Sequence, residues 1–98
     1  MQVIYKYPID PIPDQVLTVH GGIRFLDIAV QRGQVCIWVL KEKESDWPRD
    51  LRIRIIGTGH NIPDEILLEW HYWKTLHMLE GSLVLHVFVN MPHLIGRK

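Results

Sequence analysis

Residue types suited to contacting a ligand are concentrated in one turn that follows an alternating strand. The turn consists of Gly57, Thr58, Gly59, His60 and Asn61. Backbone without Cβ atoms can approach a ligand or another chain closely, and only here do two glycines bracket a polar residue. Backbone amides in such a turn can hold an anion, and Arg54 in the preceding strand is positioned to contact a phosphate. One hypothesis is therefore a binding site for a small nucleotide.

The turn does not match the established phosphate-binding patterns. A Walker loop needs Gly-Lys-Ser or Gly-Lys-Thr, and a dinucleotide fingerprint needs a third glycine and a long helix. The alternative interpretation is structural: the glycines supply positive φ angles in a tight turn, and His60 or Asn61 caps the next segment. The sequence leaves both interpretations open.

Catalysis is the weaker functional class on this sequence. Ser45, Ser82 and Cys36 lack the context of an activated nucleophile, since Cys36 lies inside an apolar strand. His60 as an acid or base would need a carboxylate or a second histidine within hydrogen-bonding reach. We therefore expect a noncatalytic protein and keep a small enzyme that uses His60 as the third hypothesis.

Histidines raise the question of a metal site. His77 and His86 fall on neighbouring strands of a predicted hairpin, where pairing through the turn would make them approximate strand partners. No HExxH or HxH pattern occurs, and the nearby carboxylates do not have the spacing of a ligand set. We expect no metal and no other cofactor.

Aromatic side chains are concentrated in one strand. Alternation places Trp70 and Tyr72 on one face and Trp73 on the other, so large amphipathic side chains occupy both faces. One face must then be exposed or covered, and aromatic residues are enriched in interface cores. These three residues are the predicted interface, and the simplest hypothesis is that another subunit of a homo-oligomer packs against them. The alternative is that these aromatic rings stack on a nucleic-acid base or a nucleotide, but the sequence has no cluster of basic residues adjacent to them to contact the phosphates.

Composition limits the function classes further. The 98 residues suffice for one domain with its own core, and 47% of them are apolar, which excludes a disordered chain. Eleven basic residues balance eleven acidic ones, which leaves no electrostatic footprint for nucleic acid. Cys36 is the only cysteine, so a reducing compartment is expected. No signal-peptide pattern is found, and the longest apolar run, 35–40, is too short to span a membrane.

Most of the chain is predicted to form short strands separated by turn residues. A first strand covers residues 2–7 and is ended by Pro8. Residues 23–41 are predicted to form a hairpin in which Leu26 and Ile28 share one face. About seven strands at nearly regular spacing predict an all-β fold, either an antiparallel sandwich or a partly open barrel.

The second half of the chain adds another hairpin and a short helical turn. The hairpin spans residues 69–90, and the helical turn is expected near 63–67, where Pro63 is followed by acidic residues. Residues 1–98 are expected to form a single domain, with 91–98 as a flexible tail.

Four segments resemble a family of small uncharacterised domains encoded by tailed bacteriophages and prophages. They are residues 4–8, 33–38, 56–60 and 81–88. The resemblance extends from about residue 3 to 89, and its most specific parts are the glycine turn and the closing strand. The segment Tyr72-Trp73-Lys74-Thr75 departs from the Tyr-Ile-Gly-Thr-like segment of that family. The resemblance implies a phage origin and a setting in the host cytoplasm, and it assigns no chemistry.

Two functional hypotheses follow from these observations. The first is a phage accessory protein that binds a host protein, for host takeover or counter-defence, through Trp70, Tyr72 or Trp73. The second is a small-ligand binder, such as a sponge for a nucleotide signal, built around the turn at residues 57–61 and Arg54.

Overall fold

Alternating apolar and polar residues organise residues 1–90, the part of the chain described by this computed structural model, into seven strands. The strands are β1 (Gln2–Ile9), β2 (Asp14–His20), β3 (Gly22–Gln31), β4 (Gln34–Glu42), β5 (Pro48–Gly57), β6 (His71–Met78) and β7 (Leu83–Asn90). One α-helix, α1 (Asp64–Glu69), lies between β5 and β6, and a short 3₁₀ turn, Leu79–Gly81, joins β6 to β7. The predicted tail at 91–98 lies outside the described residues.

The strands form two antiparallel sheets packed face to face. The first sheet has the order β1-β4-β3, and the second has the order β2-β5-β7-β6. The predicted all-β sandwich is confirmed, and the two sheets do not close into a barrel. Edge strands β3 and β6 are joined by an ion pair of 2.8 Å between Lys74 Nζ and Asp27 Oδ1.

The core lies between the inner faces of the two sheets. It is built mainly from β-branched and leucine side chains, which suit a pleated surface. Residues with no exposed surface come from both sheets: Ile28, Val35, Ile37 and Val39 from the first, and Leu51, Ile53, Val87 and Val89 from the second. Each buried side chain of this type contributes roughly 1.5–3 kcal/mol relative to an exposed one, so the sandwich is held together chiefly by this apolar contact.

Pro8 does not end the first strand, contrary to the expectation. β1 continues to Ile9, and Pro8 lies opposite Cys36 on β4. A proline lacks the N–H that an inner strand must donate, but β1 is at the edge of its sheet, and one of its sides pairs with no other strand of residues 1–90.

Leu26 does not share a face with Ile28 in the core, which corrects the predicted alternation. The pairing of β3 with β4 shifts between Phe25 and Asp27, so Leu26 is an extra residue without a partner on β4. Such a bulge changes which side chains point inward. Phe25 and Ile28 are buried, whereas Leu26 is 39% exposed.

Both predicted hairpins are confirmed, as β3–β4 and β6–β7, but His77 and His86 are not strand partners. His77 lies opposite Val84, and His86 lies opposite Thr75. The connection between β6 and β7 takes up four residues, 79–82, and Leu79 and Glu80 both have positive φ angles there. The pairing of β6 with β7 is therefore two residues away from the pairing that would place His77 opposite His86.

The predicted helical turn near 63–67 is confirmed as α1, which begins at Asp64. Pro63 occupies the cap position, and no side chain caps the helix. His60 and Asn61 therefore do not cap the segment that follows the glycine turn, contrary to one interpretation of the sequence. Neither helical segment within residues 1–90 has the length and apolar character needed to cross a membrane.

The bulge in β3 makes the cost of two neighbouring truncations unequal. Ile28→Ala should lower the free energy of unfolding by about 2–4 kcal/mol, because it leaves a cavity in the core. Leu26→Ala should change it by only about 0.5 kcal/mol, because that side chain is largely exposed. Urea denaturation of the two variants measures both values. Similar losses for the two would show that Leu26 faces the core after all.

Candidate functional site

The candidate site lies on the outer face of the four-stranded sheet, at the end where β5 runs into the glycine turn. Ile55, Val87 and Leu85 face the core, so their neighbours Ile56 and His86 point to the opposite face. Ile56 and His86 are directly paired across β5 and β7. The alternation of these two strands thus presents a histidine beside the turn.

The two glycines of the turn serve different purposes. Gly59 has a φ angle of +89°, a conformation that side-chain-bearing residues rarely adopt. Gly57 has no such requirement, but a Cβ atom there would lie 3.2 Å from Cε1 of His60. Gly59 therefore permits the turn, and Gly57 makes room for the imidazole ring to pack over the backbone.

Hydrogen bonds fix the turn against β7. The Thr58 N–H donates to the Val84 carbonyl at 3.2 Å, and the His60 N–H donates to the Gly57 carbonyl at 3.1 Å. The hydroxyl of Thr58 is also 2.7 Å from Nε2 of His86. The backbone amides of Thr58 and His60 are thus engaged within the protein and are not free to bind an anion.

His86 is the centre of a polar cluster. Its Nε2 contacts the Thr58 hydroxyl, and its Nδ1 is 3.1 Å from the Tyr72 hydroxyl and 3.4 Å from Oγ1 of Thr75. The Tyr72 and Thr75 hydroxyls are also hydrogen-bonded to each other. Because both ring nitrogens have partners, His86 holds the turn and β6 together across β7. It presents no free nitrogen to a metal.

Two cavities open on either side of His60. The first, here called the His86 cavity, has a volume of about 220 Å³. Its lining consists of Ile56, residues 57–60, Ile62, Tyr72, His86 and Phe88.

The second, the end cavity, has a volume of about 460 Å³ and lies where the sandwich opens. Its lining consists of Pro11, Pro13, Ile55, Gly57, Thr58, His60 and residues 82–85. Among residues 1–90, no Lys, Arg, Asp or Glu lines either cavity, so uncharged ligands suit them better than phosphates.

Arg54 lies apart from the turn with which the sequence associated it. Its guanidinium is 3.7 Å from the Glu65 carboxylate, and its Cζ atom is 5.6 Å from the centroid of the Trp70 ring. Cζ of Arg52 is at a similar distance, 5.5 Å, from the same ring. Arg54 therefore helps to hold α1 on the sheet and lines neither cavity. Asn61 is exposed and does not line them either.

The three predicted interface aromatics have three different environments. Trp73 occupies a bulge between Tyr72 and Lys74 and is half-buried, with its side chain packed against the core. Trp70 is half-buried next to the arginines of β5. Tyr72 packs edge to face on Phe88, with 5.2 Å between ring centroids, and remains 51% exposed. Of the three, Tyr72 alone is both exposed and part of a cavity wall.

Sequence reasoning missed Phe88 and the role of His86 in this site. A signal was present, because Leu85, Val87 and Val89 alternate with His86 and Phe88 along β7. If the leucine and valines face the core, the histidine and phenylalanine must share the outer face. The proximity of Thr58 and Tyr72 to this face depends on pairing across three strands and has no local signal.

Neither metal binding nor an acid–base pair emerges from the part of the chain described. Among residues 1–90, no three His, Cys, Asp or Glu side chains converge as a ligand set. The His60 side chain makes no hydrogen bond to a carboxylate or histidine of residues 1–90.

Substitutions at the two glycines should separate turn geometry from ring packing. Gly59→Ala should lower the free energy of unfolding by about 1–2 kcal/mol, because alanine is strained at this φ angle. Gly59→Asn should cost less, since asparagine tolerates that region. Gly57→Ala should change stability by only about 0.5 kcal/mol and shift the NMR resonances of the His60 ring. Unchanged ring resonances in Gly57→Ala would contradict the packing of His60 over Gly57.

Comparison with known proteins gives a family but no activity. No curated protein and no solved structure matches the chain. A family described as "Domain of unknown function (DUF7352)" matches residues 1–94. This match covers nearly the whole chain and includes the glycine turn, both cavities and α1. The protein therefore belongs to the DUF7352 family, an uncharacterised domain family.

Proposed function

We propose that the protein is a noncatalytic binding protein of phage or prophage origin that captures a protein of the host cell. The observation that carries this proposal is an apolar surface, the α1 surface, on the outer side of the four-stranded sheet. Its members and their exposed fractions are Ile62 (40%), Leu67 (65%), Leu68 (83%) and Tyr72 (51%).

The helix itself is the most informative part of the α1 surface. Of its six residues, Ile66 alone is buried, while Leu67 and Leu68 project into solvent. A helix this short is unstable on its own, so it persists because the rest of the protein holds it. Ile66 and the contact of Arg54 with Glu65 provide that support. Two adjacent exposed leucines on a supported helix are typical of a surface that a partner covers.

The chemistry of the site favours binding over catalysis. His60 lacks a hydrogen-bonded carboxylate or histidine within residues 1–90, and His86 uses both ring nitrogens to hold neighbouring hydroxyls. An acid–base catalyst needs a proton acceptor or donor free to reach the substrate. The proposal therefore leaves His60 as a contact residue and not as a catalyst.

The biological setting rests on the resemblance of the sequence to domains of tailed phages and prophages. The proposed role is host takeover or counter-defence, exercised in the host cytoplasm. A host protein is accordingly the proposed partner. A second copy of the chain is the other candidate cover for the α1 surface, in line with the expected homo-oligomer.

Replacing the two exposed leucines should abolish partner capture without unfolding the protein. Immobilised protein should retain a host protein from lysate, and Leu67→Ser/Leu68→Ser should not. Purified partner should then bind the double variant about tenfold or more weakly, because burying a leucine side chain contributes roughly 1.5–3 kcal/mol. Isothermal titration calorimetry measures the affinity.

Leu79→Ser is the matched control, since Leu79 is 70% exposed but lies in the connection between β6 and β7. It should retain the same partner as the unmodified protein. The proposal would be contradicted if the unmodified protein and both variants retained the host protein equally, or if none of them retained a host protein above background. If a second copy of the chain covers the α1 surface, sedimentation velocity should detect an oligomer for the unmodified protein and for Leu79→Ser. The leucine double variant alone should sediment as a monomer.

We propose small-ligand binding as the second candidate function, because the His86 cavity combines aromatic walls with ordered hydroxyl and imidazole groups. Tyr72 and Phe88 offer ring surfaces, and the hydroxyls of Thr58 and Tyr72, which His86 holds in place, can each form a further hydrogen bond. The lining residues that the structure describes carry no formal charge, which favours a nucleoside or nucleobase over the phosphate of a nucleotide.

Thermal unfolding should reveal such a ligand. A nucleoside that binds only the folded state should raise the melting temperature. At a ligand concentration one hundred times Kd, the free energy of unfolding should increase by about 2.7 kcal/mol. Thr58→Val should reduce the rise, because it removes the hydroxyl next to His86. Thr18→Val, at an exposed site bonded to Asp50, is the matched control. No rise with any nucleoside, cyclic nucleotide or linear nucleotide would eliminate this function.

A further inference from the structure

The outer face of the three-stranded sheet carries a separate cavity with a different chemical character. The cavity has a volume of about 440 Å³ and lies beside the turn between β3 and β4. It is lined by Lys6, Pro8, Gln31, Arg32, Gln34 and Cys36. These residues belong to β1, the β3–β4 turn and β4, so the cavity is independent of the His86 cavity and of the α1 surface. We call it the basic cavity.

Both charged side chains of the basic cavity are positive. Lys6 and Arg32 make no ion pair with any carboxylate of residues 1–90, although four ion pairs form elsewhere in this part of the chain. Nζ of Lys6 donates a hydrogen bond of 2.7 Å to Oε1 of Gln31, which places the ammonium at the rim. Two cations without a neutralising partner beside one concavity attract a negatively charged ligand.

The position of Arg32 is unfavourable for its own backbone. Gln31 and Gln34 are paired, so Arg32 and Gly33 are the two central residues of the hairpin turn. Both have positive φ angles, 53° and 77°, which favours Asn-Gly or Gly-Gly at these positions. An arginine in this conformation is strained relative to asparagine, and strained residues are concentrated at binding and switch sites.

The floor of the basic cavity is uncharged and fixed. Cys36 is buried opposite Pro8, and its thiol contacts the Gln34 carbonyl oxygen at 3.6 Å. Nε2 of Gln34 donates to the Ile9 carbonyl at 2.7 Å, which holds its amide in place. The volume of 440 Å³ is within the range of small-molecule sites. It is larger than an inorganic phosphate needs, so an organic body can lie over Pro8 while its anionic group meets the cations.

We propose that the basic cavity binds a small molecule that carries a phosphate or diphosphate group, held by Lys6 and Arg32. Arginine matches the geometry of phosphate oxygens with two parallel donors, and lysine adds a point charge. This site is distinct from the protein-binding surface, and its failure would leave the proposed function unaffected.

Titration of ¹⁵N-labelled full-length protein with inorganic pyrophosphate tests the site. At constant ionic strength set with sodium chloride, the amides of Lys6 and residues 31–36 should shift in a saturable manner. Arg32→Asn should weaken binding about tenfold or more, because it removes a charged pair of hydrogen-bond donors to the anion. Lys6→Gln should weaken it as well. Arg24→Asn, which removes an exposed cation of β3 outside the cavity, should bind like the unmodified protein.

The choice of Arg32→Asn separates binding from folding. Asparagine adopts positive φ angles more readily than arginine, so this variant should melt at the same or a higher temperature while its binding is lost. Shifts that do not saturate, or equal affinities for Arg32→Asn and Arg24→Asn, would overturn the site. Saturable shifts with citrate but not with pyrophosphate would overturn the phosphate ligand and assign carboxylates instead.

Discussion

The pairing of β5 with β7 is the interaction on which the rest of the structure depends. Ile53 lies opposite Val89, and Ile55 lies opposite Val87, so the two central strands of the larger sheet meet the core with apolar pairs. A shift of one residue would turn these side chains to the outer face and bring His86 into the core. The burial of the isoleucines and valines thus fixes the histidine on the outer face, beside the glycine turn.

Two surfaces of opposite character follow from the same sandwich. The outer face of the larger sheet is partly covered by α1, and its cavity is lined by uncharged groups around His86. The outer face of the smaller sheet has no helix above it within residues 1–90, and its cavity has two positive side chains, Lys6 and Arg32. The core separates the two faces, so the two proposed sites share no residues.

A bulge explains why the predicted alternation of β3 fails at Leu26. The alternation holds from Ile28 onward, but the extra residue places Phe25 as well as Ile28 in the core. β6 also has a bulge, at Trp73, which packs against the core on the face opposite Tyr72, as the alternation predicted. A bulge has no signature in hydrophobic periodicity, because it is defined by the partner strand. Both bulges lie on the facing edge strands β3 and β6, where they also discourage pairing with other chains.

The sequence by itself determined the antiparallel all-β class, both hairpins, the position of α1 and the location of the glycine turn at residues 57–61, but not the choice between a sandwich and a partly open barrel. These features depend on side-chain periodicity and on turn-forming residues, which act over a few neighbouring positions. Only the tertiary structure decided that Thr58 and Tyr72 meet at His86, because hydrogen bonds across three strands depend on register. The tertiary structure also shows that Arg54 lies next to α1 and not at the glycine turn. Its guanidinium there contacts the Glu65 carboxylate and lies over the Trp70 ring.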